Sequence, residues 1–356
     1  MEAKYYNLVN WIRESITTGT LKPGDKLSSE NELSRDFSLS RQTVRRALDI
    51  LEEEGILKRV RGSGTYVQSS QVYDYQNRKR VAIIMTYVDG YIFPKTISLT
   101  ANALSEEGYS VQIYFTNNKI SKEKEVLEEI INKDEVAGII VEGTKSNLPN
   151  PNIYLYKKLQ EKRLPIIFFN CYYRELNLPY VVMNDEMAGS LGTKCLIEHG
   201  HTQIGAIFKL DDGQGTRRYK GFLDTMNNYN IPVSANEVAW VDTVDVEEME
   251  LCIPKFIKRF SKCTGIMCYN DEVAAKLIDG FEKEGIRIPQ DKSIVGIDDS
   301  VGLINGHVNL TTIPYPAEKL AKTAVDNLLE LIKNPRFDAT KEFDVELIER
   351  DSVKRI

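Results

Sequence analysis

The chain has 356 residues, 42% of them hydrophobic and 28% charged, a balance typical of folded globular proteins that excludes a disordered chain. No apolar run is long enough to cross a bilayer, and no basic stub followed by an apolar stretch opens the sequence. Five scattered cysteines favour a reduced environment and indicate neither a disulfide framework nor a zinc site. We therefore expect a cytoplasmic protein of two or three domains, at about 100–200 residues each, with no metal or membrane partner.

The net charge of −6 is distributed unevenly. Residues 1–80 carry 14 basic and 11 acidic side chains, so the negative charge lies in the rest of the chain. Three arginines and no acidic residue occur within 38–48, and three more basic residues follow within 58–61. Clustered arginines in a small N-terminal module suit phosphate binding, although many solvated surfaces share the pattern.

Apolar periodicity and capping signals predict two helices near the N-terminus. Apolar residues recur at four-residue spacing at Leu8, Ile12 and Ile16. This spacing predicts an amphipathic helix over 4–18, which Gly19 ends. Ser29 precedes Glu32 by three residues, and this capping box predicts a second short helix over 29–37.

A third helix and a hairpin follow. Ser40 is the predicted N-cap of this helix. Its inner, apolar face is formed by Val44, Ala47, Leu48 and Leu51, and its outer face by Arg41, Gln42, Arg45 and Arg46. Two strand-like runs, 56–59 and 65–67, flank the sequence RGSG at 61–64, which predicts a hairpin with a basic, glycine-rich tip. Three helices and then such a hairpin is the order of a winged helix-turn-helix.

The residue types on the third helix and the hairpin tip suit DNA. Arg and Gln make bidentate hydrogen bonds to guanine and adenine edges, and glycines let the backbone approach a phosphate or the minor groove. The predicted DNA-contacting residues are Lys4, Ser29, Glu30, Arg35, Ser40, Arg41, Gln42, Thr43, Arg45, Arg46, Arg61, Gly62, Ser63 and Gly64. We expect Arg41 and Gln42 to read bases and Arg45 and Arg46 to hold phosphates, the alternative being a helical cap with a solvated arginine face.

Five segments of the same region resemble the GntR-type DNA-binding domain. They are LKPGDKL at 21–27, SENEL at 29–33, SRQTVRRAL at 40–48, EG at 54–55 and GSGTYV at 62–67. The sequence departs from this domain at Ser28, where many relatives have proline. The resemblance implies a winged helix-turn-helix that binds double-stranded operator DNA.

The sequence after residue 67 predicts a polar linker and a large second domain. Residues 68–80 are polar and have no helical period, so we expect a flexible linker between a DNA-binding domain over 1–67 and an effector-binding and dimerisation domain over 81–356. β-rich runs alternate with helical segments from 81 onward. The predicted strands are 81–87, 110–115, 136–141, 165–170, 203–208, 264–268 and 293–297. This alternation predicts parallel sheets, hence an α/β fold, and the length fits two similar lobes.

Ligands of such folds bind at the carboxyl ends of strands. Carboxylates, amides, cations and aromatic rings follow the predicted strands and the short run 180–183, at Tyr91, Phe93, Glu142, Lys145, Tyr172, Asp185, Gln214, Arg218, Asn270 and Asp298. Charged and amide groups bind adjacent hydroxyls, and rings cover an apolar C–H face, so the set predicts a site for a polyhydroxyl ligand. Taken singly, each residue can be a helix cap or turn former instead.

The same segments resemble the LacI/GalR effector domain, which has a periplasmic-binding-protein-like type I fold. The motifs are LIEHGH at 196–201, RRYKG at 217–221, CYNDEVAA at 268–275, SIVGIDD at 293–299 and LTTI at 310–313. The resemblance implies a homodimer and a sugar site in which Arg218, Asn270 and Asp298 bind hydroxyls. Ile297 stands where an aromatic residue is common.

Further segments resemble the arabinose repressors of Gram-positive bacteria. They are TY at 86–87, DGYIFP at 89–94, VEGTKS at 141–146, KLDDGQG at 209–215 and CYND at 268–271. This resemblance implies L-arabinose as the inducer and arabinose-utilisation operators as the targets. The residue chemistry alone indicates only a polyol, so another pentose or polyol remains open.

Other classes of protein fit the sequence less well. A nucleotide-dependent sugar enzyme would need a phosphate loop, and the only glycine pair after a strand, Gly213 and Gly215, lacks the third glycine of a dinucleotide fingerprint. A transport protein would carry a signal peptide, and a pyridoxal-phosphate enzyme would not carry the effector-domain motifs. We therefore predict a transcriptional repressor that a sugar releases from DNA, without enzymatic activity or a cofactor.

Overall fold

The computed structural model describes residues 5–68, 75, 77–300 and 308–356. Lys4 and much of the predicted linker lie outside these ranges. Residues up to Arg78, together with Leu159–Leu164, form one compact unit, and Lys79–Lys158 with Pro165–Ile356 form the other. Within the described ranges, no helix combines the length and the apolar character needed to cross a membrane.

The N-terminal unit contains the predicted helices and hairpin. Its elements are α1 (Tyr6–Thr17), α2 (Glu30–Asp36), α3 (Arg41–Glu53), β1 (Leu57–Val60) and β2 (Gly64–Val67), with the two strands antiparallel. The capping box is present, because the Ser29 hydroxyl accepts from the Glu32 N–H at 3.3 Å and the Glu32 carboxylate accepts from the Ser29 N–H at 2.7 Å. Ser40 caps α3 by accepting from the Thr43 N–H at 3.1 Å. The predicted winged helix-turn-helix is confirmed.

The apolar stripes of α1 and α3 form the core of this unit. Leu8 and Ile12 on α1 are fully buried against a cluster that includes Val44, Ala47 and Leu51 on α3. The opposite face of α3 is therefore left to solvent, and this amphipathic arrangement places the arginines outward.

The second unit contains a six-stranded parallel sheet, in the order β13-β7-β6-β5-β3-β4. Its strands are β3 (Arg80–Met85), β4 (Ser110–Phe115), β5 (Gly138–Val141), β6 (Ile166–Phe169), β7 (Tyr180–Met183) and β13 (Lys341–Phe343). Its helices are α4 (Phe93–Glu106), α5 (Ile120–Lys133), α6 (Ile153–Glu161) and α12 (Ala317–Lys333). The inner strands β5 and β6 are buried throughout, as expected for a parallel sheet covered on both faces. We call this sheet and its helices the first lobe.

A five-stranded parallel sheet in the order β12-β11-β10-β8-β9 forms the second lobe. Its strands are β8 (Ile204–Lys209), β9 (Val238–Val241), β10 (Gly265–Cys268), β11 (Ser293–Asp298) and β12 (Thr311–Pro314). Its helices are α7 (Asp185–Glu198), α8 (Gly213–Asn228), α9 (Thr243–Glu247), α10 (Met249–Arg259) and α11 (Asp271–Lys283).

The two-lobed α/β fold is as predicted, but β7, β9, β12 and β13 were not among the predicted strands. The chain enters the second lobe after β7, returns to the first after β12, and passes over again after β13, where Ile348 pairs with Thr312. The carboxyl ends of β3 and β5 in the first lobe and of β8, β10 and β11 in the second carry residues that line one cavity.

Candidate DNA-binding surface and effector cavity

The predicted recognition face of α3 is open to solvent. Arg41, Gln42, Arg45 and Arg46 are all exposed. The Nε of Arg45 donates to the Glu30 carboxylate at 2.7 Å, and the Arg46 guanidinium lies 4.7 Å from the centre of the Tyr5 ring. Glu30 therefore holds Arg45 in place on the surface, while Arg41 and Gln42 extend from the first turn of the helix.

The hairpin tip is shaped by its glycines. Gly62 and Gly64 have φ of +78° and +135°, a backbone region that other residues rarely adopt. A Cβ on Gly64 would lie 2.6 Å from Cε of Lys26, so a side chain there would displace that lysine. Arg61, Gly62 and Ser63 are exposed at the tip. Of the other predicted DNA contacts, Ser29, Arg35 and Ser40 are exposed, and Thr43 is half-buried.

A cavity lies between the two lobes of the second unit. Its cavity volume is about 70 Å³, and the space between its walls, counted out into open solvent, is about 620 Å³. Most of the predicted effector residues line it: Tyr91, Phe93, Glu142, Gln214, Arg218, Asn270 and Asp298. Other lining residues are Thr86, Tyr87, Asn170, Lys209, Asp212 and Tyr269. These residues were not predicted for the site, although Thr86 and Lys209 stand at the carboxyl ends of β3 and β8, the position that identified the others.

Arg218 is the central cation of the cavity wall. It is buried, and its guanidinium donates to Asp185 at 2.9 Å, to the Tyr269 carbonyl at 2.7 Å and to Asp298 at 3.4 Å. Burial opposes its charge, but Asp298 and Asp185 outweigh that effect and raise the pKa of Arg218. The side chain is thus a permanently charged, rigidly held donor group beside the Asp298 carboxylate.

Glu142 provides a second buried carboxylate, in the first lobe. It accepts hydrogen bonds from the hydroxyl of Thr86, from the Thr86 N–H at 2.9 Å and from the Asn170 amide at 2.6 Å. Burial raises the pKa of Glu142, and the donors from Thr86 and Asn170 oppose that effect. The carboxylate therefore faces the cavity from a fixed position.

Two amide side chains of the second lobe retain hydrogen-bonding capacity toward the cavity. The side-chain oxygen of Gln214 is buried and has no hydrogen-bond partner within the part of the chain that the structure describes. Asn270 caps α11 by accepting from the Val273 N–H at 2.9 Å, which leaves its NH₂ group as a donor. A buried polar atom without a partner is uncommon in native proteins and indicates a missing ligand or water.

The remaining predicted effector residues do not line this cavity. Lys145 pairs with Asp211 across the lobes at 2.9 Å. Tyr172 stacks on Tyr180 with 3.9 Å between ring centres and lines a separate hollow. Asp185 is fully buried at the start of α7, where it accepts from both Arg217 and Arg218. Asp185 thus orients Arg218 from behind the cavity wall.

The glycine pair that was considered for phosphate binding has a packing role. A Cβ on Gly215 would lie 1.8 Å from the carbonyl oxygen of Lys209. Only glycine lets α8 pack this closely against the end of β8. A Cβ on Gly213 would lie 3.4 Å from its nearest neighbour, the Ser146 hydroxyl, so that position has no such constraint.

One group of possible metal ligands occurs among the described residues: Cys195, His199 and Glu349, with ligand atoms within 4.8 Å of one another. His199 Nδ1 lies 2.8 Å from the Cys195 carbonyl oxygen, its main-chain acceptor. Burial raises the pKa of the Cys195 thiol to about 12. The Glu349 side chain is largely exposed and Nδ1 of His199 is already bonded to the main chain, so we assign this group no metal.

Comparisons with known protein families agree with this architecture. Residues 4–67 match the model of the bacterial regulatory proteins of the gntR family, and residues 193–353 match that of a periplasmic-binding-protein-like domain. Two solved regulators share the fold of the second unit. One, from Enterococcus faecium with bound ribose, is 22% identical with a TM-score of 0.67, and the match covers 78% of this chain and 100% of that one. The other, from Alkaliphilus metalliredigens with bound D-xylulofuranose, is 24% identical with a TM-score of 0.64, and the match covers 77% of this chain and 99% of that one. The fold and the two sites define a transcription regulator with a winged-helix domain and a LacI-type effector domain.

Relatives that match nearly the full length of the chain show which family of regulators it belongs to. The chain is 37% identical over 355 residues to an arabinose metabolism transcriptional repressor of Halalkalibacterium halodurans, with 98% of this chain and 94% of that protein covered. It is 36% identical over 362 residues to the arabinose metabolism transcriptional repressor of Geobacillus stearothermophilus, with 99% of this chain and 98% of that protein covered. The chain belongs to the family of arabinose metabolism transcriptional repressors and is a regulator, not an enzyme.

Proposed function

We propose that this repressor is induced by L-arabinose and that it controls genes for arabinose use in the cytoplasm. The names of the two full-length relatives support the identity of the sugar. The observation that carries the proposal is that the Arg218–Asp298 pair, the Glu142 carboxylate and the Phe93 ring line one cavity together with the Gln214 oxygen, which has no hydrogen-bond partner among the described residues. These are the groups that bind the hydroxyls and the C–H face of a small sugar.

The two lobes supply different parts of this site. The second lobe contributes Gln214, Arg218, Asn270 and Asp298, and the first contributes Glu142 and Phe93. A sugar that bonds to both sides stabilises one arrangement of the lobes. Induction then requires that this arrangement binds operator DNA less well, with a coupling of about 1–3 kcal/mol.

We infer that the repressor acts as a homodimer, with residues 1–67 on DNA, 68–80 as a linker and 81–356 as the effector-binding and dimerisation domain. One winged helix contacts too few base pairs for operator specificity, and two-fold pairing doubles the site. Sedimentation equilibrium of the full chain at about 10 μM tests this, and a monomer at that concentration would contradict it.

Electrophoretic mobility shift on an arabinose-operon promoter tests the induction. L-arabinose should dissociate the complex, and D-xylose, D-ribose and D-galactose serve as the comparison panel. Release by another sugar alone would replace L-arabinose as the inducer, and release by none would refute induction by these sugars.

A pair of glutamine variants tests the site. Gln214→Ala should weaken sugar binding on the order of 10-fold, because it removes about one hydrogen bond, and should leave operator affinity and stability unchanged, because the Gln214 oxygen has no partner among the described residues. Gln203→Ala, an exposed glutamine of the same lobe, is the matched control and should behave as the unmodified chain. Calorimetry with L-arabinose measures both, and equal affinities would remove Gln214 from the site.

A further inference from the structure

The loop between β3 and α4 carries one aromatic side chain across the cavity. The Tyr91 hydroxyl, from the first lobe, donates to the carboxylate of Asp298 in the second lobe. It also lies 3.2 Å from the Ile297 carbonyl and accepts from the Asp271 N–H at 3.3 Å. The hydroxyl of Tyr91 is thus bonded to Asp298, a residue that the proposed function assigns to sugar binding.

These contacts are those that a sugar hydroxyl would make. A sugar O–H donates to a carboxylate and accepts from an N–H, as the Tyr91 phenol does here. Burial and the neighbouring Asp298 and Asp271 charges raise the pKa of Tyr91, so its hydroxyl keeps the proton that it donates. One oxygen of Asp298 faces Arg218 at 3.4 Å and the other faces Tyr91. A sugar hydroxyl that takes the position of the phenol on this second oxygen has to displace Tyr91.

The backbone of the loop favours such a departure. Tyr91 has φ of +53° and follows Gly90 with φ of +68°. The left-handed region is costly for a bulky residue and persists only where surrounding contacts compensate. Val88, Asp89 and Gly90 are exposed, so the segment just before Tyr91 is bounded by solvent rather than by packed core.

We propose that Tyr91 is an internal competitor of the inducer: its hydroxyl occupies a sugar-hydroxyl position on Asp298 and must be displaced when the sugar binds. This inference rests on the proposed function. The apparent affinity for sugar is then reduced by the fraction of molecules in which Tyr91 fills the position. Tyr91 sets the sugar concentration at which repression is relieved.

Tyr91→Phe tests the inference because it removes only the competing hydroxyl. The variant should bind L-arabinose more tightly, on the order of 10-fold, since a hydrogen bond to a carboxylate no longer opposes the sugar. The operator complex of the variant should be released at correspondingly lower sugar concentration. Tyr114→Phe is the matched control, because the Tyr114 hydroxyl also bonds to a carboxylate, Glu129 at 2.9 Å, outside the cavity, and it should leave sugar affinity unchanged.

The outcomes separate this inference from the function on which it rests. If the unmodified repressor binds a sugar of the panel and Tyr91→Phe binds it equally or more weakly, Tyr91 is a bystander or a sugar ligand and the inference is wrong, while the sugar site stands. If neither protein binds any sugar of the panel, both proposals fail. If only Tyr91→Phe binds a sugar of the panel, the inference is supported, because the Tyr91 hydroxyl then blocks sugar binding in the unmodified repressor.

Discussion

The crossing of α7 and α8 offers a sharp test of how the cavity wall is built. A Cβ on Gly221 of α8 would lie 1.9 Å from the Glu186 carbonyl oxygen of α7 and 2.8 Å from the Ser190 nitrogen. Contacts below 3.0 Å are essentially never tolerated by real Cβ atoms, so Gly221→Ala must separate the helices by about 1 Å. Hydrogen bonds from Arg217 and Arg218 to Asp185, 2.8 and 2.9 Å long, span this crossing and would be stretched beyond bonding distance.

The expected cost is about 1–3 kcal/mol for overpacking, and up to about 3–5 kcal/mol if the buried ion pairs break. Helix propensity alone predicts the opposite sign, a gain of about 1 kcal/mol for replacing glycine by alanine. Gly213→Ala in the same helix is the control, because its Cβ would lie 3.4 Å from the Ser146 hydroxyl, an ordinary contact.

Urea unfolding followed by Trp240 fluorescence reports on the second lobe. The chain has two tryptophans, and a Trp11→Phe background leaves Trp240 on β9 as the only one. Calorimetry with L-arabinose should show a loss of affinity in Gly221→Ala and none in Gly213→Ala. A Gly221→Ala protein as stable as the control, with unchanged sugar affinity, would refute the claim that this close crossing positions Arg218.

Three further predictions follow from individual side chains. Arg41→Ala should lower discrimination between operator and non-specific DNA by about 1–3 kcal/mol per lost base contact, measured by competition gel shift; equal losses on both DNAs would make Arg41 a phosphate contact. Burial and the Asp298 charge raise the pKa of Asp271 to about 8, so the native state retains a proton that the unfolded chain releases. The free energy of unfolding, measured by urea titration, should therefore fall as pH rises from about 4 to 8, and it should fall less steeply in Asp271→Asn. The same pH dependence in the variant and the unmodified chain would contradict this. Glu123→Ala should cost about 3 kcal/mol in urea unfolding, because it removes a buried acceptor that Asn150, Asn152, Tyr156 and Tyr173 share and of these only Tyr173 keeps another acceptor for its one proton, the Thr144 carbonyl. Glu125→Ala, exposed on the same helix, should change stability by less than about 0.5 kcal/mol.

The secondary structure was predictable wherever local chemistry determines it. The run 110–115 is β4 without a shift, because β-branched and aromatic residues favour an extended strand even at the partly exposed edge of the sheet. The run 293–297 differs from β11 by one residue, because an apolar β-rich run is characteristic of a strand buried on both faces. β13 has no such signal: its sequence is Lys-Glu-Phe, and its strand character comes from pairing with β7, more than 150 positions earlier. Pairing of this kind is set by tertiary contacts that a local pattern does not contain.

The site was predictable in position but not in the role of each side chain. Strand-end residues line the cavity because parallel strands share one carboxyl edge. Asp185 also follows a strand, yet its backbone direction at the start of α7 turns it behind Arg218. Glu123 lies in the charged run 122–125, which has the composition of a solvated helix face, but it is fully buried and accepts from Tyr156 and Tyr173. Spacing does not reveal which charged residue the fold encloses.

The passage of the chain between the lobes has a consequence for biosynthesis. The first lobe needs α12 and β13, which lie after all five strands of the second lobe in the sequence. A nascent chain that has left the ribosome as far as β12 can complete the second sheet, while the edge of β7 is still without its neighbour β13. We expect the five-stranded sheet of the second lobe to form first during translation, and the sheet of the first lobe to be completed only after β13 has left the ribosome. Premature termination before 341 would therefore leave the lobe made earliest unfinished, and such truncated chains are expected substrates for chaperones and proteases.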